Sequence, residues 1–185
     1  MTKKRSADKI KMRYVKVILG IIIVLSLVFF ALGVIFQEIN YTSKIVIKKP
    51  LSEVFKIFND DSKLMDWIPD ITSIKPITQT ESEKGSFYEI EVNNNGSKII
   101  LEERVLEFIQ NERIKLFFKG GGMYKTDDYL FEAASNEVTT LILKTNIKSE
   151  SFILGCMLPL VSSKLSKQDQ EYLNNFKKLV EREND

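Results

Sequence analysis

Few side chains in this sequence have the chemistry to catalyse a reaction, and their types limit which reactions are possible. None of the 185 residues is a histidine, which excludes imidazole acid–base relays, triads that use histidine and metal sites that need an imidazole ligand. Cys156 is the only cysteine, so no intrachain disulfide can form. It lies in the apolar run FILGCMLPL, which is typical of a buried, unreactive thiol. We therefore predict no metal, no cofactor and no catalytic constellation.

The remaining candidates for acid–base chemistry are carboxylates and a tyrosine on predicted strands. Tyr124 and Asp128 have the same strand parity, so a pocket on that side would receive a hydroxyl and a carboxylate together. The charged run at 125–128 suggests a solvated face as the alternative. Glu103 and Arg104 fall in the middle of a strand, and on a regular strand one of the two must point inward. A buried carboxylate there would be either a general acid or half of an ion pair.

Short segments of alternating apolar and polar residues predict the sheet that positions these groups. A first strand is predicted at 43–48, and six more follow at 71–77, 86–92, 97–109, 114–119, 123–133 and 138–147. The turn Asn93-Asn94-Asn95-Gly96 is a strong hairpin signal. The glycines at 120–122 lack the Lys-Ser/Thr of a phosphate loop, so we predict a flexible hairpin tip at a cavity mouth. Such evenly spaced strands indicate an antiparallel meander.

Three helical segments accompany the predicted strands. Pro50 opens the first, in which four apolar residues form one stripe: Leu51, Val54, Phe55 and Phe58. Ser62 is predicted to cap a second, short helix that ends before Pro69. The third begins loosely at Phe152, is broken at Pro159 and continues to 183 as the main helix. Its apolar face is interrupted by Gln168 and Asp169.

The most apolar segment of the chain, residues 17–36, contains no charged residue. As a helix it is about 30 Å long, the thickness of the hydrocarbon core of a bilayer. Seven Lys and Arg residues precede it, and no cation follows it before Lys44. We therefore predict a single-pass membrane anchor with a cytoplasmic N-terminus and an extracytoplasmic domain.

Two alternatives to this anchor follow from the same residues. The basic run before residue 17 would also be compatible with binding to nucleic acid or acidic lipid. Its position directly beside the apolar segment favours a role in membrane topology instead. A cleaved signal peptide is the other alternative, since Ala31-Leu32-Gly33 offers small residues at a cleavage-like spacing. We favour the uncleaved anchor, because the apolar region of a signal peptide is only about 7–15 residues long.

The charge balance separates the N-terminal tail from the rest of the chain. The first sixteen residues hold seven of the 27 Lys and Arg residues but one of the 25 Asp and Glu residues, which leaves 20 cations against 24 acids. The remainder is too acidic to suggest a nucleic-acid partner. We divide the chain into a basic tail (1–16), a transmembrane helix (17–36) and one domain (41–185). The sequence does not determine the oligomeric state.

Two stretches carry a resemblance to a known superfamily. The first, IVIKKPLSEVFKIFNDDSKLMDWIPDI (45–71), combines a strand, a proline before a helix that ends in Asp, and a Trp-x-Pro. The second, LNNFKKLVE (173–181), is similar to the terminal helix of the same superfamily in looser form. Together with the order of elements, they resemble the START-like, SRPBCC or polyketide cyclase-like superfamily. This resemblance implies an α+β helix-grip fold, in which a curved antiparallel sheet of about seven strands surrounds a long C-terminal helix.

The resemblance also implies an apolar cavity between the sheet and the last helix. Combined with the strand parities, it predicts twelve lining residues that could bind a ligand: Trp67, Tyr88, Ile90, Leu116, Phe118, Tyr124, Asp128, Leu141, Leu143, Met157, Val161 and Leu165. A solid core would show the same apolar faces, and Trp67 could serve for packing instead of capping the cavity.

Three functions are compatible with these predictions, because the superfamily hosts lipid carriers, cyclases, hormone receptors and co-chaperones. The first is a membrane-tethered module that binds a hydrophobic small molecule or lipid, which the anchor and the lack of catalytic groups favour. The second in rank is an envelope interaction or scaffold protein without a ligand. The third is an enzyme of the cyclase or dehydratase kind that uses Asp128, Glu103 or Tyr124 as acid or base.

Overall fold

The computed structural model describes residues 2–94 and 96–182, with side chains described from Met12 onward. Four α-helices and seven strands follow one another in an order that we label α1 to α4 and β1 to β7. Their bounds are α1 Thr2–Ile35, β1 Glu38–Ile47, α2 Leu51–Phe58, α3 Leu64–Trp67, β2 Ile71–Thr78, β3 Phe87–Asn94, β4 Ser97–Ile109, β5 Arg113–Gly120, β6 Met123–Ser135, β7 Val138–Ser149 and α4 Phe152–Arg182. A 3-10 turn, Asp61–Lys63, precedes α3.

The strands form one antiparallel sheet in the order β1-β7-β6-β5-β4-β3-β2. Consecutive strands from β2 to β7 are neighbours, which confirms the predicted meander, and β1 joins the sheet at the free edge of β7. The sheet curves around α4, as in a helix-grip fold, so the predicted α+β fold class is confirmed.

The first strand begins five residues earlier than its alternation predicted. Glu38 already pairs with Lys148 of β7 in the ladder, and their side chains form an ion pair at 2.9 Å. The pattern missed this part of β1 because it contains polar residues such as Asn40, which lies at the sheet edge. Only Phe36 and Gln37 therefore separate α1 from the sheet.

The short helices α2 and α3 occupy their predicted places, with one correction at the cap. The side chain of Asp60, not that of Ser62, caps the 3-10 turn by accepting a hydrogen bond from the Ser62 amide at 3.0 Å, and α3 itself follows Lys63 without a side-chain cap. Ser62 instead donates its hydroxyl to the same carboxylate at 2.5 Å. A carboxylate accepts both hydrogens at once, which explains why Asp60 takes the cap position.

The predicted break at Pro159 is wrong, because α4 runs through this residue from Phe152. A proline inside a helix removes one backbone hydrogen bond and crowds the carbonyl four residues earlier. That earlier residue is Gly155, whose lack of a side chain leaves room for adjustment. The predicted end at 183 lies outside the described residues, and the described helix reaches Arg182.

Aromatic rings fill the groove between the sheet and α4 at one end. The ring of Phe58 lies 5.4 Å from that of Phe176 on α4, 5.2 Å from that of Phe131 on β6 and 5.4 Å from that of Trp67. Phe55 adds a further edge contact to Phe131 at 5.0 Å. This aromatic core holds α2 and α3 against the sheet.

The N-terminal helix α1 stands apart from that core. Residues 12–35 are long and apolar enough to cross a membrane, judged by length and composition, and their apolar side chains are largely exposed. The last turns of α1 pack on the start of α4, where the rings of Phe30 and Phe152 stack at 6.0 Å. Gly33 is buried at this contact, and a Cβ at that position would overlap the sulfur of Cys156.

Candidate functional site

A cavity of about 430 Å³ lies between the concave face of the sheet and α4, beside the aromatic core. Alternate residues of β3, β4 and β5 form its apolar walls, since alternate side chains of a strand share one face of the sheet. The main contributors are Ile90 and Val92 of β3, Leu101 and Val105 of β4, and Leu116 and Phe118 of β5. The volume is within the range of small-molecule sites.

Half of the twelve predicted residues do line this cavity. These are Trp67, Tyr88, Ile90, Leu116, Phe118 and Leu165. The strand parities assigned to β3 and β5 are therefore correct. That these side chains bind a ligand remains a prediction.

Trp67 belongs to the aromatic core as well as to the cavity wall. Its side chain is 2% exposed, and its ring centroid lies 5.2 Å from that of Phe176. The indole N–H is buried and has no hydrogen-bond acceptor among the described residues. Packing, the alternative to a capping role, accounts for most of the contacts of this residue.

Tyr124 and Asp128 lie outside the cavity, on the opposite face of β6. Tyr124 stacks on Phe117 with ring centroids 6.0 Å apart. The carboxylate of Asp128 accepts two hydrogen bonds from Arg113, both at 2.8 Å. The odd-numbered residues of β6 face inward instead. The sequence did not distinguish the two faces here, because both carry polar and charged residues.

Four further predicted residues are also absent from the cavity wall. Leu141 and Leu143 of β7 are buried in the core cluster that contains Phe176. Met157 is 45% exposed, and Val161 does not reach the cavity. Near the start of α4, Leu158 and not Met157 faces the sheet, and it packs in the same cluster as Leu165.

A buried polar cluster in the cavity wall was missed by the sequence analysis. The ammonium of Lys125 lies 2.8 Å from the carboxylate of Asp127 and 3.0 Å from that of Asp169. Tyr41 donates to Asp169 at 2.8 Å, and Thr145 donates to Asp127 at 2.7 Å. The interruption of the apolar stripe of α4 at Asp169 was the signal that a polar group on the sheet must face it.

The electrostatics of this cluster follow from two carboxylates that share one ammonium. Burial raises the pKa of Asp127, and the nearby Lys125 only partly opposes this effect. Burial alone would lower the pKa of Lys125, but the charges of Asp127 and Asp169 raise it well above its usual value. Lys125 therefore stays charged across the physiological range.

Glu103 is the inward-facing member of the Glu103–Arg104 pair. Its carboxyl lines the cavity, whereas the Arg104 guanidinium lies over the Phe87 ring, 5.3 Å from its centroid. Burial raises the pKa of Glu103 to about 8, and the negative charges of Asp61 and Asp127 add to the increase. Its carboxyl forms no hydrogen bond with the described residues. Near neutral pH this group can therefore hold a proton and offer it to a bound molecule.

A second polar contact fixes α4 over the cavity. Gln168 donates to the carboxylate of Asp70 at 2.8 Å, and the hydroxyl of Tyr172 donates to the same carboxylate. Burial, together with this bond to Asp70, raises the pKa of Tyr172. Asp70 directly precedes β2, so the contact ties the middle of α4 to the far edge of the sheet.

The cavity combines apolar walls with a few polar groups, and it is suited to enclosing a mainly hydrophobic molecule. The described residues contain no group of three or more His, Cys, Asp or Glu side chains that could hold a metal ion. The polar groups that line it include the Glu103 carboxyl, the Lys125–Asp127–Asp169 cluster and the Asp70–Gln168–Tyr172 contact.

Comparison with known proteins identifies the fold. No protein-family model and no curated protein matches the sequence. Among solved structures, the Zhui aromatase/cyclase from Streptomyces sp. R1128 is 13% identical with a TM-score of 0.65, and the match covers 78% of this chain and 94% of that one. A START superfamily protein from Mycobacterium smegmatis is 14% identical with a TM-score of 0.60, covering 77% and 94%. A conserved protein from Geobacillus kaustophilus is 15% identical with a TM-score of 0.65, covering 77% and 95%. These similarities confirm the START-like helix-grip fold.

Proposed function

We propose that this protein is a membrane-anchored binding module that encloses a hydrophobic small molecule or a lipid between its sheet and α4. The observation that carries the proposal is the cavity of about 430 Å³. A scaffold without a ligand would be expected to fill this space with side chains, as the neighbouring aromatic core does. The START-like fold supports a ligand-binding module in general terms.

Membrane anchoring by α1 is the second part of the proposal. The apolar side chains of residues 12–35 are mostly exposed in the folded chain, and a bilayer would cover them. The packing of Gly33 against Cys156 supports retention of α1 over cleavage, because a cut after Ala31-Leu32-Gly33 would remove a helix that the domain contacts. The basic residues before α1 support a cytoplasmic N-terminus and an extracytoplasmic domain.

Native mass spectrometry of the full chain, released from detergent, tests whether the cavity holds a bound molecule. We expect the wild-type protein to carry a noncovalently bound small molecule or lipid. Leu116→Trp replaces an aliphatic side chain in the cavity wall with a bulky ring. We expect this variant to lose the mass of the bound molecule. The matched control is Phe117→Trp, because Phe117 is the next residue on β5 and faces the opposite side of the sheet.

Each outcome of this experiment bears on the proposal. Loss of the bound mass in Leu116→Trp alone supports enclosure in the cavity. Equal retention in both variants would place the bound molecule elsewhere, and the absence of any bound mass in wild-type protein purified from its own membranes would count against a ligand. The N-terminal mass of the same sample reports whether α1 is retained.

A second candidate function, acid–base catalysis on the enclosed molecule, is favoured by Glu103. A carboxyl with a pKa of about 8 can act as a general acid near neutral pH. Glu103→Gln keeps the shape of the side chain and removes its acidity. Conversion of the bound molecule by the wild-type protein but not by this variant would support catalysis, whereas recovery of the same unaltered molecule from both proteins supports a binding module.

A further inference from the structure

The first turns of α4 present an apolar surface that the fold leaves uncovered. No charged residue occurs between Glu150 and Lys164. Within this segment Ile153 is 64% exposed, Met157 45% and Leu160 64%. These three residues follow the i, i+4, i+7 spacing that places side chains on one face of a helix. We refer to residues 152–160 as the α4 tip.

The opposite face of the α4 tip is buried, so its orientation is determined. Gly155, Cys156 and Leu158 are buried residues of α4. Leu158 packs on Ile39 and Ile147 of the sheet, and Cys156 lies against Gly33 of α1. The exposed face therefore cannot turn inward without breaking these contacts.

The place at which the α4 tip touches α1 identifies what covers the exposed face. Phe152 stacks on Phe30, which lies five residues before the last residue of α1. At about 1.5 Å of rise per residue, this contact is about 7–8 Å inside the end of that helix. If residues 17–36 span the bilayer, a side chain stacked on Phe30 must itself lie within the hydrocarbon.

We infer that the α4 tip inserts into the bilayer beside α1, where Phe152, Ile153, Met157 and Leu160 contact acyl chains. This inference rests on the proposed anchoring by α1. It gives the domain a second, amphipathic contact with the membrane in addition to the covalent link through Phe36 and Gln37.

The insertion of the α4 tip also orients the cavity. Leu154 packs against the backbone of Gly122, and the amide of Glu150 donates to the carbonyl of Gly122 at 2.9 Å. Gly120, Gly121 and Met123 of the same hairpin line one end of the cavity. That end therefore lies next to the inserted helix, so a hydrophobic molecule has a short path between the cavity and the bilayer.

The test measures the membrane depth of single labelled positions in the full chain. Cysteines are placed one at a time at Val28, Ile153 and Ile100 in a Cys156→Ala background and labelled with an environment-sensitive fluorophore. The protein is reconstituted into phosphatidylcholine–phosphatidylglycerol vesicles with and without acyl-chain nitroxide lipids. Val28 on α1 is the control for a position inside the bilayer, and Ile100 on β4 is the control for a position in water. Their exposed fractions are similar, 54% for Val28 and 49% for Ile100.

We expect the label at Ile153 to show blue-shifted emission and nitroxide quenching comparable to those at Val28, with neither effect at Ile100. Quenching at Val28 alone would overturn the insertion of the α4 tip and leave the anchor intact. Quenching at neither position would overturn both. A blue shift at Ile153 without quenching would assign the surface to a protein partner or a second copy instead of lipid.

The emission of Trp67, the only tryptophan, verifies folding of each variant. Because Cys156 is buried, the same labels can be placed in a background that retains it, which covers the case in which Cys156→Ala does not fold.

Discussion

The groove between the sheet and α4 is solid at one end and hollow at the other, although the same sheet and the same helix form both ends. At the solid end α2 and α3 lie under the groove, where Phe58 meets Phe176 edge to face and Phe55 meets Phe108 and Phe131 in the same way. At the hollow end the walls are mainly apolar side chains of β3 to β5, and the cavity occupies the space between them. The difference therefore comes from the side chains and from the two short helices that supply the rings, while the sheet and α4 are common to both ends.

Two features of α4 explain where the solid part stops. Its C-terminal half presents Leu173, Phe176 and Val180, all fully buried. Gln168 and Asp169 lie at least one helical turn before Leu173 and interrupt the apolar stripe. Gln168 contacts Asp70, and Asp169 contacts Lys125. The side chains of Gln168 and Asp169 both line the cavity, so the solid part of the groove begins only after them along α4.

The largest expected effect is the removal of a ring from the solid end. Phe176→Ala should lower the free energy of unfolding by about 3–5 kcal/mol, because a large buried aromatic side chain is replaced by a void. The matched substitution at the hollow end, Leu165→Ala, should cost clearly less, since Leu165 already borders the cavity. Urea unfolding of the full chain in detergent, followed by the emission of Trp67, measures both. Equal decreases in the free energy of unfolding for Phe176→Ala and Leu165→Ala would show that the cavity is closed in solution.

A second effect should come from the titration of Glu103 in the hollow. Its pKa is about 8 in the folded protein, whereas the ordinary pKa of a glutamate is 4.5, so between these values the folded state holds a proton that the unfolded state releases. The free energy of unfolding therefore falls as the pH rises through this window. Each pKa unit corresponds to about 1.4 kcal/mol, so the loss over the whole window is at most about 5 kcal/mol.

Glu103→Gln should remove this part of the pH dependence. We expect the variant to match the wild-type protein near pH 5 and to be more stable than it at pH 9, as measured by urea unfolding at both pH values. Glu102→Gln is the matched control, because Glu102 is the preceding residue and is exposed. An unchanged pH profile in Glu103→Gln would show that water enters the cavity and solvates the carboxylate.

The sequence predicted the fold more completely than the site, and particular residues show why. The alternation of strands such as 97–109 depends on local patterning, and β4 has these bounds in the structure. The inward face of β6 could not be chosen in this way, because Lys125 and Asp127 face inward as part of a cluster with Asp169, which is 42 or more residues away in the chain. Leu141 and Leu143 were assigned to the correct face of β7, but the sequence does not reveal that rings from α2 and α4 fill the space above them.

The smallest expected effect concerns Asp128, which was predicted to lie in the pocket but faces the other side of the sheet. Asp128→Asn removes the ion pair with Arg113 and should lower the free energy of unfolding by about 0.2–1 kcal/mol, as is usual for pairs near the surface. Because the Arg113 hydrogen bonds lower the pKa of Asp128, this contribution is present near neutral pH and is lost as the pH falls through that lowered pKa. The bound mass seen by native mass spectrometry should be unchanged. If Asp128→Asn abolished ligand retention while Asp127 and Asp169 remained in place, the outer face of the sheet, and not the hollow, would have to be the binding surface.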